Sequence, residues 1–470
     1  MKFFFKAMAM LAVLAVPGSL RAQTAQTVNG ADERFKADIL VVVAHPDDEV
    51  IFSPYLARAI DDQHKRVAVV YGTRGGSGGN GVAREHGPAL ANVREMEARE
   101  ACATLGISNV WFLSGKDTAS QNLMDSLTNW GHGANLEQLV ALMRLTRPDV
   151  VFTQLPAVFI GENHGDHQAV GVLATEAFDL AADQLAFPAQ LAGDTNLNEP
   201  YQSNLLAWQP KKLYFVSDAD NQKQFAGSGP AYSIRDLSPS RHKTYWRLAM
   251  ESAMAHRTQF AEEIAQVSKL SDEQLDRRTN GPGSAWWPEP LTLIFGKSVV
   301  GGEPTDDVFA HIDEKPAKQA ASRAISFPGA VNAAQLPRLE LGGSWRFYAE
   351  FYRAHSLAGL PVAKVPEIAI GTGSTLVIPL VIFHDPSRSL PVSLTVLAPE
   401  GWKAVQGAGE LLLPAEESTS LPVRIETPVL TGDASQNAVP REVLIRAETE
   451  GKPAGEVRLR VLLKGGALPQ

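Results

Sequence analysis

Two short stretches of the chain gather side chains that hold metals and move protons. Ala44-His45-Pro46-Asp47-Asp48-Glu49 sets an imidazole beside consecutive carboxylates. Such groups repel one another, and they resist joint desolvation unless a cation sits among them. A divalent metal is the simplest compensation; the plain alternative is a solvated turn with a capping aspartate. The second stretch, Glu162-Asn163-His164-Gly165-Asp166-His167, offers two histidines separated by a glycine and an aspartate. His45, Asp48 and His167 make a two-histidine, one-carboxylate set that leaves a position open for water, as catalytic zinc requires. Spacing alone does not choose between Asp47 and Glu49 as a proton acceptor. Cys102 is the single cysteine of 470 residues. An internal disulfide and a thiolate cage are thereby excluded, and any metal must be held by histidine and carboxylate.

The elements that position these residues read as alternating strands and helices. Residues 39–44 and 67–71 are unbroken apolar runs of the kind that suits strands buried on both faces. Residues 110–113, 150–153 and 213–216 continue the series, with helical stretches around 89–105, 136–145 and 168–182. The pattern predicts an α/β fold, a Rossmann-like, doubly wound and mostly parallel sheet. Ligands in such sheets sit beyond the carboxyl ends of the strands. The first stretch ends the first strand, and the second follows the fourth. Ser53-Pro54 reads as an N-cap with proline at the first helical position. Asp166 reads as the cap of a helix running on to Ala182, in which the spacing through Val170, Ala174 and Ala177 turns His167 inward.

A third signal is the helix from Arg94 to Gly106, where Arg94, Glu97, Ala101 and Leu105 share one face. Its simplest reading is an exposed Arg94–Glu97 ion pair, with Cys102 a small buried apolar residue. With these three motifs the chain resembles the PIG-L, or LmbE-like, zinc-dependent deacetylases of N-acetylated amino sugars. The likeness runs from about Ala37 to Gly296 and includes a weaker His256-Arg257-Thr258-Gln259 segment. It implies one Zn2+ per chain on His45, Asp48 and His167, with Asp47 as general base. It further implies that His164 stabilises the oxyanion or protonates the leaving amine, and that Asp166 orients His164. Substrate contacts are expected from Arg74, Arg94, Glu97 and His256. The chain departs from the family pattern at Ser53-Pro54, at Gly165 and at Thr73-Arg74-Gly75-Gly76, which alters the expected substrate pocket more than the metal set. Trp130 and Trp286-Trp287 are candidates for stacking on sugar rings, packing between domains being the alternative. His64, His86, His242, His311, His355 and His384 read as surface residues.

The net charge of −9, with no basic stripe or arm, argues against nucleic acid and anionic membrane surfaces as partners. Residues 1–22 have a basic start, a short apolar core and a small residue before Gln23, which describes a cleavable signal peptide. The apolar run is shorter than the roughly 20 residues a spanning helix needs. The expected product is a secreted, periplasmic or extracellular protein. A deacetylase domain is expected over residues 23–300, an unassigned connecting region over 301–360 and an antiparallel β-sandwich over 361–465. The sandwich is expected from short alternating runs separated by proline, glycine and aspartate turns. Within it, Ala398-Pro399-Glu400-Gly401-Trp402 resembles the immunoglobulin-like domains attached to secreted carbohydrate-active enzymes. The function implied is release of acetyl from an N-acetylated sugar or glycoconjugate. The rivals are an amidase on another N-acyl conjugate and a non-catalytic glycan-binding protein; the latter should have lost one of His45, Asp47, Asp48 or His167, and none is lost.

Overall fold

The computed structural model describes residues 32–119, 122–157, 164–192, 204–217, 225–277, 287–316, 336–430 and 439–464. The expected signal peptide, Glu162, Asn163, Trp286 and residues 317–335 of the connecting region lie outside the described residues. Among the described residues no helix is long and apolar enough to cross a membrane.

The first part runs β1 (Ile39–Val43), α1 (Ser53–Ala57), β2 (Val67–Tyr71), α2 (Pro88–Thr104), β3 (Asn109–Phe112), α3 (Leu123–Trp130), α4 (His132–Thr146), β4 (Val150–Gln154) and α5 (Gly165–Leu180). It continues through β5 (Lys212–Val216), β6 (Ala231–Tyr232), α6 (Tyr245–Ala253), α7 (Ala261–Val267), α8 (Asp272–Arg277), β7 (Leu291–Thr292) and β8 (Ile294–Ser298). Six of these strands form one sheet in the order β3-β2-β1-β4-β5-β8, parallel except for β8. Every residue of β1, β2 and β4 is buried, because helices cover both faces. Strand order reverses between β1 and β4, so the connections that follow these two strands open on the same crevice.

Local chemistry fixes how the crevice is lined. The segment after β1 enters a 3-10 turn, Asp48–Phe52, before α1 begins. Ser53 therefore does not cap the helix; its hydroxyl donates to the Glu49 carbonyl at 3.3 Å. Helix α5 starts at Gly165, three residues earlier than expected, and its N-cap is His164, whose Nδ1 accepts from the Asp166 N–H at 3.2 Å. The capping role expected of Asp166 thus falls to His164, which frees the Asp166 carboxylate to turn into the site. A side chain at Gly171 would overlap the Gln154 carbonyl, so this glycine lets α5 lie directly against the end of β4.

The C-terminal part contains β9 (Arg338–Leu341), α9 (Gly343–Ala354), α10 (Pro361–Lys364), β10 (Glu367–Gly371), β11 (Thr375–Phe383), β12 (Leu390–Leu397), β13 (Lys403–Gln406), β14 (Gly409–Leu413), β15 (Ser418–Glu426), β16 (Arg441–Thr449) and β17 (Lys452–Lys464). Two sheets, β10-β17-β16-β12-β14 and β13-β15-β11-β9, bury their inner faces in one shared core, the arrangement of a β-sandwich. Pairing is antiparallel except between β10 and β17, which run parallel. Arg338–Leu341 lies ahead of residue 361 and already belongs to this assembly through β11. His384, expected at the surface, is 1% exposed and lies within hydrogen-bond distance of the Thr419 hydroxyl at 3.1 Å.

Candidate metal centre and active site

His45 is the hub of the crevice. Its Nδ1 lies 3.2 Å from His167 Nε2 and 3.3 Å from Asp48 Oδ2, and His167 Nε2 lies 3.2 Å from Asp48 Oδ1. A tetrahedral zinc centre with bonds of about 2.0–2.1 Å separates its donors by about 3.3–3.4 Å. The two imidazole nitrogens stand close to that spacing and each lies against one oxygen of Asp48, so two imidazoles and a carboxylate meet at one point, a donor set that fits zinc. His164 closes a triangle of imidazoles whose ring centres are 4.9, 5.1 and 5.0 Å apart.

The opposite nitrogen of His45 faces two carboxylates. Its Nε2 is 3.3 Å from Asp166 Oδ2 and 3.3 Å from Asp117 Oδ1. Asp166 is fully buried and accepts from the Thr118 N–H and hydroxyl, each at 2.9 Å. Asp117 accepts from the Ser77 N–H at 2.6 Å. A carboxylate behind a metal-binding imidazole fixes the ring's tautomer and raises its basicity. Burial opposes charge on His45, but the bonds from Asp117, Asp166 and Asp48 outweigh it and raise the imidazole well above its usual range. Positive charge is therefore favoured here, whether as a proton or as a metal ion. Asp166 was expected to orient His164; the structure places its carboxylate on His45.

Asp47 is held in a conformation aspartate rarely adopts, with φ 112° and ψ −24°. Such a residue costs about 1–3 kcal/mol and persists only when its surroundings hold it. Its N–H donates to Glu49 Oε2 at 3.0 Å, and Glu49 Oε1 meets His256 Nε2 at 2.6 Å, with both side chains almost wholly buried. Gln259 donates to the Pro46 carbonyl, and the Trp287 indole donates to the Val50 carbonyl at 2.7 Å. The His256–Gln259 segment is thus a clamp on the loop that carries Asp47. Burial and the neighbouring charge of Asp48 push the Asp47 carboxyl up to about 7, the range that suits a general base at neutral pH.

The residues expected to touch substrate are otherwise engaged. Arg94 is buried and donates to the carbonyls of Gly75 and Gly79 at 2.8 and 2.7 Å, pinning the glycine-rich loop after β2. Glu97 is buried and accepts from the Thr258 hydroxyl at 2.6 Å, so the exposed Arg94–Glu97 pair does not form. Arg74 donates to Glu95 at 2.8 Å and to Asn92 at 2.6 Å, and His256 meets Glu49. Arg94, Glu97 and His256 are buried in these contacts, whereas Arg74 keeps a partly exposed side chain against α2. Trp130 and Trp287 are each 3% exposed and pack in the two cores flanking the sheet. Asp117 is the site residue that sequence reasoning missed: it stands alone in a loop, and its partners His45 and Ser77 are distant in the chain.

Residues 40–178 match a family model described as PIG-L: GlcNAc-PI de-N-acetylase. A curated protein of Thermobifida fusca, 1D-myo-inositol 2-acetamido-2-deoxy-alpha-D-glucopyranoside deacetylase, is 27% identical over 250 residues, covering 47% of this chain and 83% of the relative. A second deacetylase of that description, from Frankia alni, is 32% identical over 188 residues, covering 36% of this chain and 59% of the relative. Among solved structures, N,N'-diacetylchitobiose deacetylase from Pyrococcus horikoshii aligns at 22% identity with a TM-score of 0.35, covering 50% of this chain and 74% of that one. The matched residues include β1, β4 and both stretches that build the crevice, and over them the chain is similar to the PIG-L deacetylases.

Proposed function

We propose that this protein is an exported, zinc-dependent hydrolase that removes acetyl from an N-acetylated amino sugar or glycoconjugate. The observation that carries the reading is the mutual spacing of 3.2–3.3 Å among donor atoms of His45, Asp48 and His167, with Asp47 beside them. Both curated relatives are named as deacetylases of an acetamido sugar, which supports the substrate class. The basic, apolar and small-residue pattern of residues 1–22 supports export.

His45, Asp48 and His167 would hold one zinc ion, which supplies Lewis acidity that makes water nucleophilic near neutral pH and polarises the acyl carbonyl. Asp47 takes the proton of the attacking water. His164 accepts at Nδ1 from the Asp166 N–H, so its neutral ring carries its proton on Nε2. That N–H stabilises the acyl oxygen as negative charge develops. When the C–N bond breaks, the proton held by Asp47 passes to the departing amine. The products are acetate and a free amino sugar.

The test is acetate release from N-acetylated mono-, oligo- and polysaccharides by the zinc-loaded protein, with N-acyl amino acids and peptides alongside. Release from the sugars supports the reading. Zinc-loaded protein that cleaves only the peptide-like amides, or nothing, overturns it.

A further inference from the structure

Helix α9 lies outside the residues matched by the family, yet it reaches the back of the crevice. Its aromatic residues recur at helical spacing, and they divide between two cores. Tyr348, Phe351 and Tyr352 pack into the core beneath the α/β sheet, whereas Trp345 packs against the sandwich core. Four polar contacts of α9 and its C-cap residue His355 fix the α/β side. The Tyr348 hydroxyl donates to Gln168 Oε1 at 2.5 Å, next in sequence to His167. The Tyr352 hydroxyl donates to the Pro156 carbonyl at 2.7 Å, just beyond β4. His355 Nδ1 meets Asp179 Oδ2 at 2.7 Å, while Lys297 donates to Asp179 Oδ1 at 2.6 Å and to the His355 carbonyl at 3.2 Å. Both tyrosines and Gln168 are buried, where a polar contact is strong when made and costly when lost. On the other side α9 is tied to the sandwich through β9, which pairs with β11, and through the Gly342 N–H donating to Pro379 at 2.8 Å.

We propose that α9 is a positioning element of the metal centre. Tyr348 and Tyr352 hold the amino end of α5 against β4, and with it the orientation of His164 and His167. The sandwich, by fixing α9, sets how tightly the site holds its metal. This rests on the reading of His167 as a zinc ligand. A carboxylate or carbonyl that orients a ligand typically alters metal affinity 10- to 100-fold when lost. The tyrosines act one residue further out, so about 3- to 10-fold per hydroxyl is expected.

The experiment uses the full-length protein with Tyr348→Phe, Tyr352→Phe and the double variant, which keep the rings and remove only the hydroxyls. Zinc dissociation constants are measured by competition with a chromogenic chelator, beside thermal midpoint and, at saturating zinc, kcat and KM for an N-acetyl sugar. Ile107→Val, a small cavity in the core on the other face of the α/β sheet from α9, is the stability control. The expected result is weaker zinc binding and lower kcat with KM little changed, larger in the double variant and absent in the control. If Tyr348→Phe does not fold, Tyr352→Phe carries the same comparison. Wild-type zinc affinity and kcat in the tyrosine variants, or losses that the control reproduces, overturn the proposal. A wild-type protein that binds zinc but cleaves no sugar would sink the functional reading alone, since the zinc affinities test α9 without it.

Discussion

Replacing His256 by Phe tests how the proposed base is held. The imidazole and Glu49 form a buried pair at 2.6 Å, and Glu49 in turn accepts from the Asp47 N–H. Phe fills the space but leaves a buried carboxylate without its cation, a loss of about 3–5 kcal/mol. A domain of 150–250 residues loses about 2–4 °C of Tm per kcal/mol, which places the variant roughly 6–20 °C below the parent. Asp47, at φ 112°, loses part of what holds it, so the rate falls as well. Burial and Asp48 raise the Asp47 carboxyl, and the positive charge of His256 works against them. Removing that charge raises the carboxyl further, so the acid limb of the kcat/KM profile moves to higher pH. The double variant Glu49→Gln with His256→Phe removes the unpaired charge and keeps an acceptor for the Asp47 N–H. Replacing both members of a buried pair is often near neutral, so stability and rate should recover together. Thermal melts, zinc content and acetate-release profiles from pH 5 to 9 check each step. His256→Phe with a parental Tm and an unshifted acid limb would refute the clamp.

Asp47→Asn should keep fold and zinc and lose about a hundred- to ten-thousandfold in kcat; near-parental turnover by zinc-loaded protein would remove Asp47 from the mechanism. His167→Ala should abolish stoichiometric zinc, and full occupancy by metal analysis would show the ligand assignment to be wrong. Asp62 provides a pH test away from the crevice. Burial favours its neutral form, but hydrogen bonds from Ser238, Tyr245 and Ser240 outweigh this and lower the carboxyl to about 2. Its contribution to stability is therefore present above the ordinary value of 3.8 and is lost as pH falls toward 2. Denaturation midpoints of Asp62→Asn should decline less than those of the parent between pH 4 and 2, and parallel declines would contradict the assignment.

The central strands were legible because both faces of β1, β2 and β4 are buried and their sequences are unbroken apolar runs. The meeting of His45, Asp48 and His167 was legible because His45 and Asp48 lie on one turn and the helical period aims His167 at them. What escaped lacked a local signal. Asp117 owes its place to Ser77 and His45, contacts that only the folded loop creates. His256 and Glu97 read as substrate contacts because polar residues in a family motif invite that role; their burial against Glu49 and Thr258 shows them bracing the loops instead. Helix α3 was missed although Asn122 caps it and Leu123, Leu127 and Trp130 mark its buried face. Helix α9 stayed unassigned because its aromatic stripe serves two cores, and neither is visible from the segment itself.

The crevice concentrates Asp47, Asp48, Glu49, Asp117 and Asp166 around His45, His164, His167 and His256. Desolvating five carboxylates beside four imidazoles is tolerable only if positive charge is distributed among them. The chain assigns that charge by geometry. Glu49 is matched by His256, and Asp48, Asp117 and Asp166 converge on His45 from both ring nitrogens. Proton and metal compete for this position, so zinc binding should release protons and weaken as pH falls. These carboxylates raise His45, while burial and the charge of Asp48 push Asp47 up to about 7. A cation at the donor set would favour ionised Asp47, so the proposed proton acceptor would be formed as the proposed metal binds. On the proposed reading, metal binding and catalysis would be two consequences of one arrangement of charge, set where β1 and β4 end side by side.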